Sequence, residues 1–297
     1  MQKIIVTGSN GLIGTRLMSD LADQFSLVGF DYSNPDLPVD ITKIDSLKVA
    51  FEKHQDAVAV VHLAAYTDVS GAFLQSGDKN ASAYQINVLG TQNVASCAKE
   101  FGQQLVHMST AYVFSGDKNS PYTEEDDPSP IEWYGKTKAE AEELLVDVGG
   151  DYTILRIDQP FRNDSFSKLD TLHRVIKGIK DATLYPQFTN HYFGPTYIPD
   201  LVQVIGEVIR QRITGLYHAS QGESWSDFEF AVAVNRILGL GGEIKAGDLD
   251  EYLKTTNRPY QRSTALSCER LRQKLTDFKW KTVEEAIALS KTGVDAL

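Results

Sequence analysis

Residues 3–14 of the chain read KIIVTGSNGLIG: a short β-branched run, a turn with three glycines, and the start of a helical pattern through Leu12, Leu17 and Leu21. A strand that turns at once into a helix needs positions without a Cβ, and Gly8, Gly11 and Gly14 supply them. Gly8 permits the tight turn, Gly11 lets a ligand approach the backbone, and Gly14 lets the helix pack closely on the strand. The helix N-terminus then offers N–H groups and the positive end of a dipole, which suits a phosphate. Gly8, Asn10, Gly11, Leu12, Ile13 and Gly14 are therefore expected to cradle a dinucleotide. The spacing is GxxGxxG, not the commoner GxGxxG, and a purely structural turn is the competing reading. The strand-turn-helix setting favours the nucleotide.

The first half continues the alternation. Ser26 to Asp31, Ala57 to Leu63, Gln104 to Ser109 and Tyr152 to Ile157 read as strands. Between them Leu47 to Lys53, Tyr84 to Phe101 and Trp133 to Val148 have helical spacing. Strands alternating with helices argue for right-handed βαβ units and a parallel sheet covered on both faces. The expected class is α/β, a Rossmann-type doubly wound parallel sheet with a smaller, interleaved C-terminal substrate lobe. The boundary is read near residue 157: residues 1–157 form the dinucleotide-binding domain and 158–297 the lobe. A helix from Asp200 to Arg210 and a strand from Gly215 to Ala219 return to the sheet domain. Helices are also expected over Phe228 to Leu238 and Val283 to Lys291. Gln159 to Asp170 and the proline-bearing Ala182 to Pro199 are loop-rich, the type of segment that tends to carry binding groups.

Composition narrows the class. The 297 residues hold 29 Lys plus Arg against 40 Asp plus Glu, a net charge of −11, which disfavours nucleic acid and anionic membranes as partners. The longest apolar stretch, Ala57 to Tyr66, is too short to span a bilayer. Two cysteines, Cys97 and Cys268, cannot staple a small fold, and with no visible signal peptide a reduced, cytoplasmic protein is expected. No His/Cys cluster has metal-ligand spacing, so no metal is expected.

Asp31 ends the second strand about 20 residues past the middle glycine, where an acid can hold an adenosine ribose and repel a 2′-phosphate. It tilts the cofactor toward NAD over NADP, with a solvated strand-end acid as the alternative. Arg16 reads as a surface helical residue. Asp40 and Ile41 follow a proline-containing turn and can reach an adenine, although Asp40 suits a helix cap equally well. Tyr134 and Lys138 lie four residues apart in YGKTK, hence on one helix face. A nearby ammonium stabilises a phenolate and lowers a Tyr pKa from about 10 toward neutrality. Ser109 and Thr110 stand at the C-terminal edge of a strand, where open α/β sheets bind ligands. One hydroxyl can bond a carbonyl beside Tyr134, and the other is structural.

TGSNGLIG, HLAA (62–65), Asn87 in INVLGT, STAYVFSG (109–116), PYTEEDDPSP (121–130) and YGKTK together resemble an extended short-chain dehydrogenase/reductase. The STAYVFSG to YGKTK run is most similar to the dTDP-4-dehydrorhamnose reductase branch. The likeness is densest from residue 1 to about 148, with weaker echoes in FGPTYIPDL, GLYHASQGE and RPYQRSTALSCERL.

The resemblance implies an NAD(P)H-dependent reductase of a nucleotide-linked 4-keto-6-deoxysugar. Tyr134 would be the proton donor, Lys138 would bind the nicotinamide ribose and lower the Tyr134 pKa, and Thr110 would orient the carbonyl. Leu63, Ala64 and Ala65 would line the cofactor, with Asn87 beside it. The bland readings are strand-end packing for 63–65, a backbone brace for Asn87, and a satisfied strand histidine for His62. Ser109, Thr110, Arg162, Tyr197 and Arg258 are the candidate substrate contacts. Lys168, Arg174 and Arg262 are further cationic candidates for a diphosphate, and Tyr197 and Phe193 can equally pack the lobe. Ala111-Tyr112 replaces the Asp-Glu pair of nucleotide-sugar dehydratases, which argues against water elimination. The reductase branch often has Asp at the Ala111 position, and Asp158 to Arg162 replaces its familiar residues. A homodimer is compatible with such a chain. Two rivals stay open: a nucleotide-sugar epimerase of the same family, and a non-catalytic NAD(P)-binding regulatory subunit of the kind that partners methionine adenosyltransferase.

Overall fold

The computed structural model describes residues 1–35 and 38–291. Five strands follow the expected order: β1 (Lys3–Thr7), β2 (Ser26–Phe30), β3 (Ala59–His62), β4 (Gln104–Thr110) and β5 (Tyr152–Ile157). With the later strand Gly215–His218 they form a six-stranded sheet whose spatial order is Gly215–His218, β5, β4, β3, β1, β2. The β1–β2, β1–β3 and β3–β4 pairs are parallel, with Thr7 registered against both Phe30 and His62. Winding thus reverses between β1 and β3, and open sheets bind ligands at such a switch point. After β2 the described residues make an isolated bridge, Asp31 to Pro38, where the commonest Rossmann order has a further strand.

The strands are rich in apolar residues because both faces are covered, and β4 also buries the polar Gln104, His107, Ser109 and Thr110. Every residue of β4 is buried, as are Ile4, Ile5 and Val6 of β1. Ile5, Phe30, Leu47, Phe51, Val60, Val94, Leu105, Leu145 and Ile154 share one core cluster, which joins strands to the helices Ile44–Glu52, Thr91–Glu100 and Trp133–Val148.

One expected helix is not continuous. The periodicity from Tyr84 to Phe101 predicts a single helix, but Gln85–Gly90 winds as a π-turn before the α-helix Thr91–Glu100. Such a turn inserts a residue into the helical ladder, and it is characteristic of functional sites. Here it carries Asn87.

The chain divides into two compact units. The first comprises Met1–Val113, Pro130–Arg156 and Val202–Tyr217; the second comprises Phe114–Ser129, Ile157–Leu201 and the chain from His218 onward. The second unit has its own core of Phe161, Leu172, Ile176, Phe193, Tyr197, Phe230, Val234 and Ile287. Its helix Thr171–Lys180 is not among those expected from the sequence; Asp170 caps it by accepting from His173 N at 2.9 Å, and Lys177 and Lys180 stand in its last turn.

Asp158 braces this unit. Its Oδ2 accepts from Gly194 N at 2.9 Å and Thr264 Oγ1 at 2.6 Å, while its Oδ1 is buried without a hydrogen-bond partner. Burial pushes the carboxyl up to about 7, against those two donors, which favour the ionised form. Below its ordinary value of 3.8 the acid is protonated both folded and unfolded. As pH rises toward about 7 the unfolded chain releases a proton that the fold retains, so stability is lost over that window. His62 and His107, held neutral by burial, act in the opposite sense over the same window, so the Asp158 contribution is read as a difference. Asp158→Asn should gain several degrees of melting temperature relative to the native protein between about pH 4 and 7, at roughly 2–4 °C per kcal/mol. A native-to-variant difference that stays constant across that range would show that Asp158 does not hold its proton in the fold.

Candidate active site

The glycine turn is built by close backbone approach. Gly8 has φ +69° and donates to Phe30 O at 2.8 Å. A Cβ there would lie 2.6 Å from Ala64 N, and one on Gly14 would lie 2.2 Å from Gly8 O. Neither position admits any other residue without moving backbone. No side chain caps the helix Gly14–Asp20, so the helix start is open to an anion.

Asp31 grips this turn. Its Oδ2 accepts from Asn10 N at 3.0 Å, and its Oδ1 accepts from Ser33 N and Oγ at 2.9 and 2.7 Å. Asn10 Nδ2 also donates to Ser33 Oγ at 3.0 Å. Leu63, Ala64 and Ala65 are half-buried at the end of β3, where Leu63 N donates to Thr7 O at 3.1 Å. Arg16 pairs with Asp20 at 2.8 Å on its own helix. Asp40 closes its own turn, accepting from Thr42 N and Oγ1 at 2.9 and 2.7 Å, and does not cap the following helix Ile44–Glu52, whose N-cap is Lys43. Ile41 is a core residue whose carbonyl accepts from Asn93 Nδ2 at 2.9 Å.

The helix Trp133–Val148 begins at Glu132, whose carboxylate accepts from Tyr134 N and Gly135 N at 3.0 and 2.6 Å. Three successive turns fasten it to the end of β4. A Cβ on Gly135 would stand 2.1 Å from Tyr112 O, so only glycine allows the first contact. Lys138 Nζ donates to Met108 O at 2.7 Å and reaches His107 Nε2 at 3.2 Å. Glu142 accepts from Ser109 Oγ and is held by Arg156, at 3.0 Å from Nε and 2.6 Å from Nη2. Ser109 is therefore the structural hydroxyl of the pair. Thr110 Oγ1 accepts from Tyr112 N at 3.2 Å, and the Tyr112 ring meets the half-buried Tyr134 ring edge-on with centroids 5.8 Å apart.

Asn87 ties the π-turn to the same joint. Its Oδ1 accepts from Tyr66 N at 2.8 Å, and its Nδ2 donates to Tyr66 O at 3.1 Å and to Thr137 Oγ1 at 3.0 Å. It thereby braces the segment after Ala65 against the helix Trp133–Val148. His62 is likewise satisfied, with Nδ1 2.7 Å from Thr7 Oγ1 and Nε2 3.0 Å from Thr91 Oγ1. Burial, helped by the Lys138 charge, lowers its pKa to about 3, so it stays neutral.

Lys138 is 2% exposed, and burial lowers its pKa to about 8 against the opposing pull of Glu142. Tyr134 stands one turn before Lys138 on the same helix. His107, Glu142 and Arg156 went unnoticed in the sequence. Glu142 had a signal, since Tyr134, Lys138 and Glu142 fall at i, i+4 and i+8 on one helix face.

The remaining candidates lie in the second unit. Arg162 is buried and pairs with Asp164 at 2.5 Å, with its guanidinium 5.2 Å from the Phe166 ring. Tyr197 is 2% exposed and packs on Phe161 at 5.5 Å, the packing alternative. Phe193 is equally buried, against Phe230. Arg258 lies over the Tyr260 ring at 4.6 Å, and Arg262 pairs with Asp250. Lys168 and Arg174 are exposed. Among the described residues no group of three His, Cys, Asp or Glu side chains could hold a metal ion.

The family model described as the RmlD substrate binding domain matches residues 1–291. The dTDP-4-dehydrorhamnose reductase of Aggregatibacter actinomycetemcomitans is 30% identical over 242 residues, covering 79% of this chain and 78% of that protein.

The chain belongs to the dTDP-4-dehydrorhamnose reductase family of extended short-chain dehydrogenases/reductases.

Among solved structures, the Bacillus anthracis dTDP-4-dehydrorhamnose reductase in complex with NADP matches with a TM-score of 0.84 at 28% identity. That match covers 97% of this chain and 98% of the other. Methionine adenosyltransferase 2 subunit beta of Rattus norvegicus is 27% identical over 91% of this chain and 81% of its own. The Rossmann-type architecture expected from the sequence is thus the family's architecture.

The tight contacts make two glycines sensitive. Gly135→Ala must push the catalytic helix off Tyr112 O. A displacement near 1 Å should cost roughly 10²-fold in kcat while far-ultraviolet circular dichroism stays native. Gly14→Ala should weaken dinucleotide binding at least about tenfold, measured by calorimetry, because the phosphate turn itself must open.

Proposed function

We propose that the protein is an NAD(P)H-dependent reductase of a nucleotide-linked 4-keto-6-deoxysugar. The single observation that carries this reading is the fastening of the Tyr134–Lys138 helix to the Thr110 end of β4, beside a glycine turn fit for a dinucleotide. Gly8, Asn10, Gly11, Leu12, Ile13 and Gly14 would hold the pyrophosphate. Asp31 would face the adenosine ribose, and Leu63, Ala64 and Ala65 would line the cofactor, with Asn87 holding that wall in place. The negative charge of Asp31 beside the turn favours NADH over NADPH. Arg162, Tyr197 and Arg258, all in the second unit, are the candidate nucleotide-sugar contacts, with Arg258 the leading one.

When bound, the reduced nicotinamide supplies a hydride to the keto carbon. Tyr134 gives its O–H proton to the keto oxygen, so an alcohol forms and a tyrosinate remains. Thr110 donates to the same oxygen and holds it toward Tyr134. The Lys138 ammonium stabilises the tyrosinate, so the developing charge is never left unpaired. Ala111 is fully buried and apolar, so no carboxylate stands there to drive water elimination.

Purified protein mixed with a dTDP-4-keto-6-deoxysugar and NADH or NADPH should consume nicotinamide absorbance. Absence of turnover with every such sugar would sink the reading. Protein that arrives with tightly held NAD and needs no reductant would indicate an epimerase. Co-purification with a synthetase and no turnover would indicate a regulatory subunit. Tyr134→Phe should lower kcat at least about 10³-fold while dinucleotide affinity stays within about threefold, since only the transferred proton is lost. Lys138 is charged only below its pKa of about 8, so reduction should decline as pH rises through that value.

A further inference from the structure

Behind Lys138 lies a buried polar row that the proposed reaction does not use directly. His107 sits on β4, 1% exposed, three residues before Thr110. Its Nε2 is 3.2 Å from Lys138 Nζ, and its Nδ1 is buried with no hydrogen-bond partner. Its ring lies 5.2 Å from His62, whose two nitrogens are taken by Thr7 and Thr91. An apolar side chain would fill this place in a buried strand without stranding a polar atom. An unpartnered buried nitrogen is unfavourable for folding, so His107 requires some other reason to be there.

We propose that His107 is a positioning residue for Lys138: its Nε2 lone pair and Met108 O hold two of the three ammonium N–H groups, which aims the third at the tyrosinate and the cofactor ribose. An ammonium has three donors and no acceptor. With two directions fixed by the end of β4, tetrahedral geometry sets the third. The role needs a neutral imidazole with its proton on Nδ1, because a second cation at this distance would expel the first. The surroundings agree. On the same helix as Lys138 stand the Tyr134 hydroxyl and the Glu142 carboxylate, the latter held by Ser109 of β4 and Arg156 of β5. The neighbour from β3 is the neutral His62. Burial first, then the charge of Lys138, keeps His107 well below its usual pKa.

The proposal rests on the reductase reading, and two measurements separate them. In the first, His107→Leu and His107→Gln are compared with the native enzyme across pH. Without the acceptor the ammonium is less stable, so in His107→Leu the alkaline limb of kcat/KM should move down by about one pH unit. kcat should fall about tenfold with dinucleotide affinity nearly unchanged. The Gln side chain offers an amide oxygen and should restore the limb to within about half a unit. An unmoved limb and native kcat in His107→Leu would overturn the proposal.

The second measurement is ¹⁵N NMR of the histidines in the native protein, which requires neither turnover nor a mutant that folds. His107 should remain neutral and protonated on Nδ1 between about pH 6 and 7.5, below the Lys138 transition. A proton on Nε2 in that range, or a cationic ring, would overturn it. Loss of turnover on every keto sugar alongside the expected tautomer would defeat the reductase reading and leave the His107–Lys138 geometry standing.

Discussion

Keeping one ammonium buried between the helix Trp133–Val148 and β4 is the constraint on which the first unit's proposed site depends. A buried lysine is stable only if its N–H groups find partners and a compensating charge lies near. Met108 O and His107 Nε2 are the partners and Glu142 is the charge. All of them sit on β4 or on the lysine's own helix, so satisfying Lys138 forces helix and strand into register. Gly135 against Tyr112 and Glu142 against Ser109 complete the joint. The helix turn that carries Tyr134 is thereby brought to the end of β4, where the Tyr112 ring meets the Tyr134 ring edge-on.

A chain of net charge −11 can still receive an anion, because the global field and the local one have different sources. The glycine turn offers backbone amides and an uncapped helix start, which owe nothing to side-chain charge. Side-chain cations are mostly spent internally: Arg156 on Glu142, Arg162 on Asp164 and Arg262 on Asp250. This division also explains why Asp31 is tolerated next to a phosphate turn. Its oxygens are occupied by Asn10 and Ser33, so it stiffens the turn while keeping its sign.

Much of the fold was legible along the chain. Five strands and the helix Trp133–Val148 lie close to where apolar runs and helical spacing put them, because burial on both faces enriches a strand in apolar residues even where polar ones interrupt it. The π-turn at Gln85–Gly90 was not legible, since a widened turn has the same composition as the helix around it. The helix Thr171–Lys180 was missed for the opposite reason, as its polar neighbours hid its amphipathic face.

The site divides along the same line. The glycine turn and the Tyr134/Lys138 pair were readable because each is a local requirement: a close backbone approach and a four-residue helical spacing. Which of Ser109 and Thr110 braces and which stays available was not, because the answer lies in Glu142, 33 residues away in sequence. The duties of Asn87, Asp40 and Tyr197 were open for the same reason. Their partners in the fold, Tyr66 and Thr137 for Asn87, Thr42 for Asp40 and Phe161 for Tyr197, became known only when the chain had folded. Local geometry is written in neighbouring residues, whereas the assignment of a polar group to brace or to chemistry depends on which distant group reaches it first.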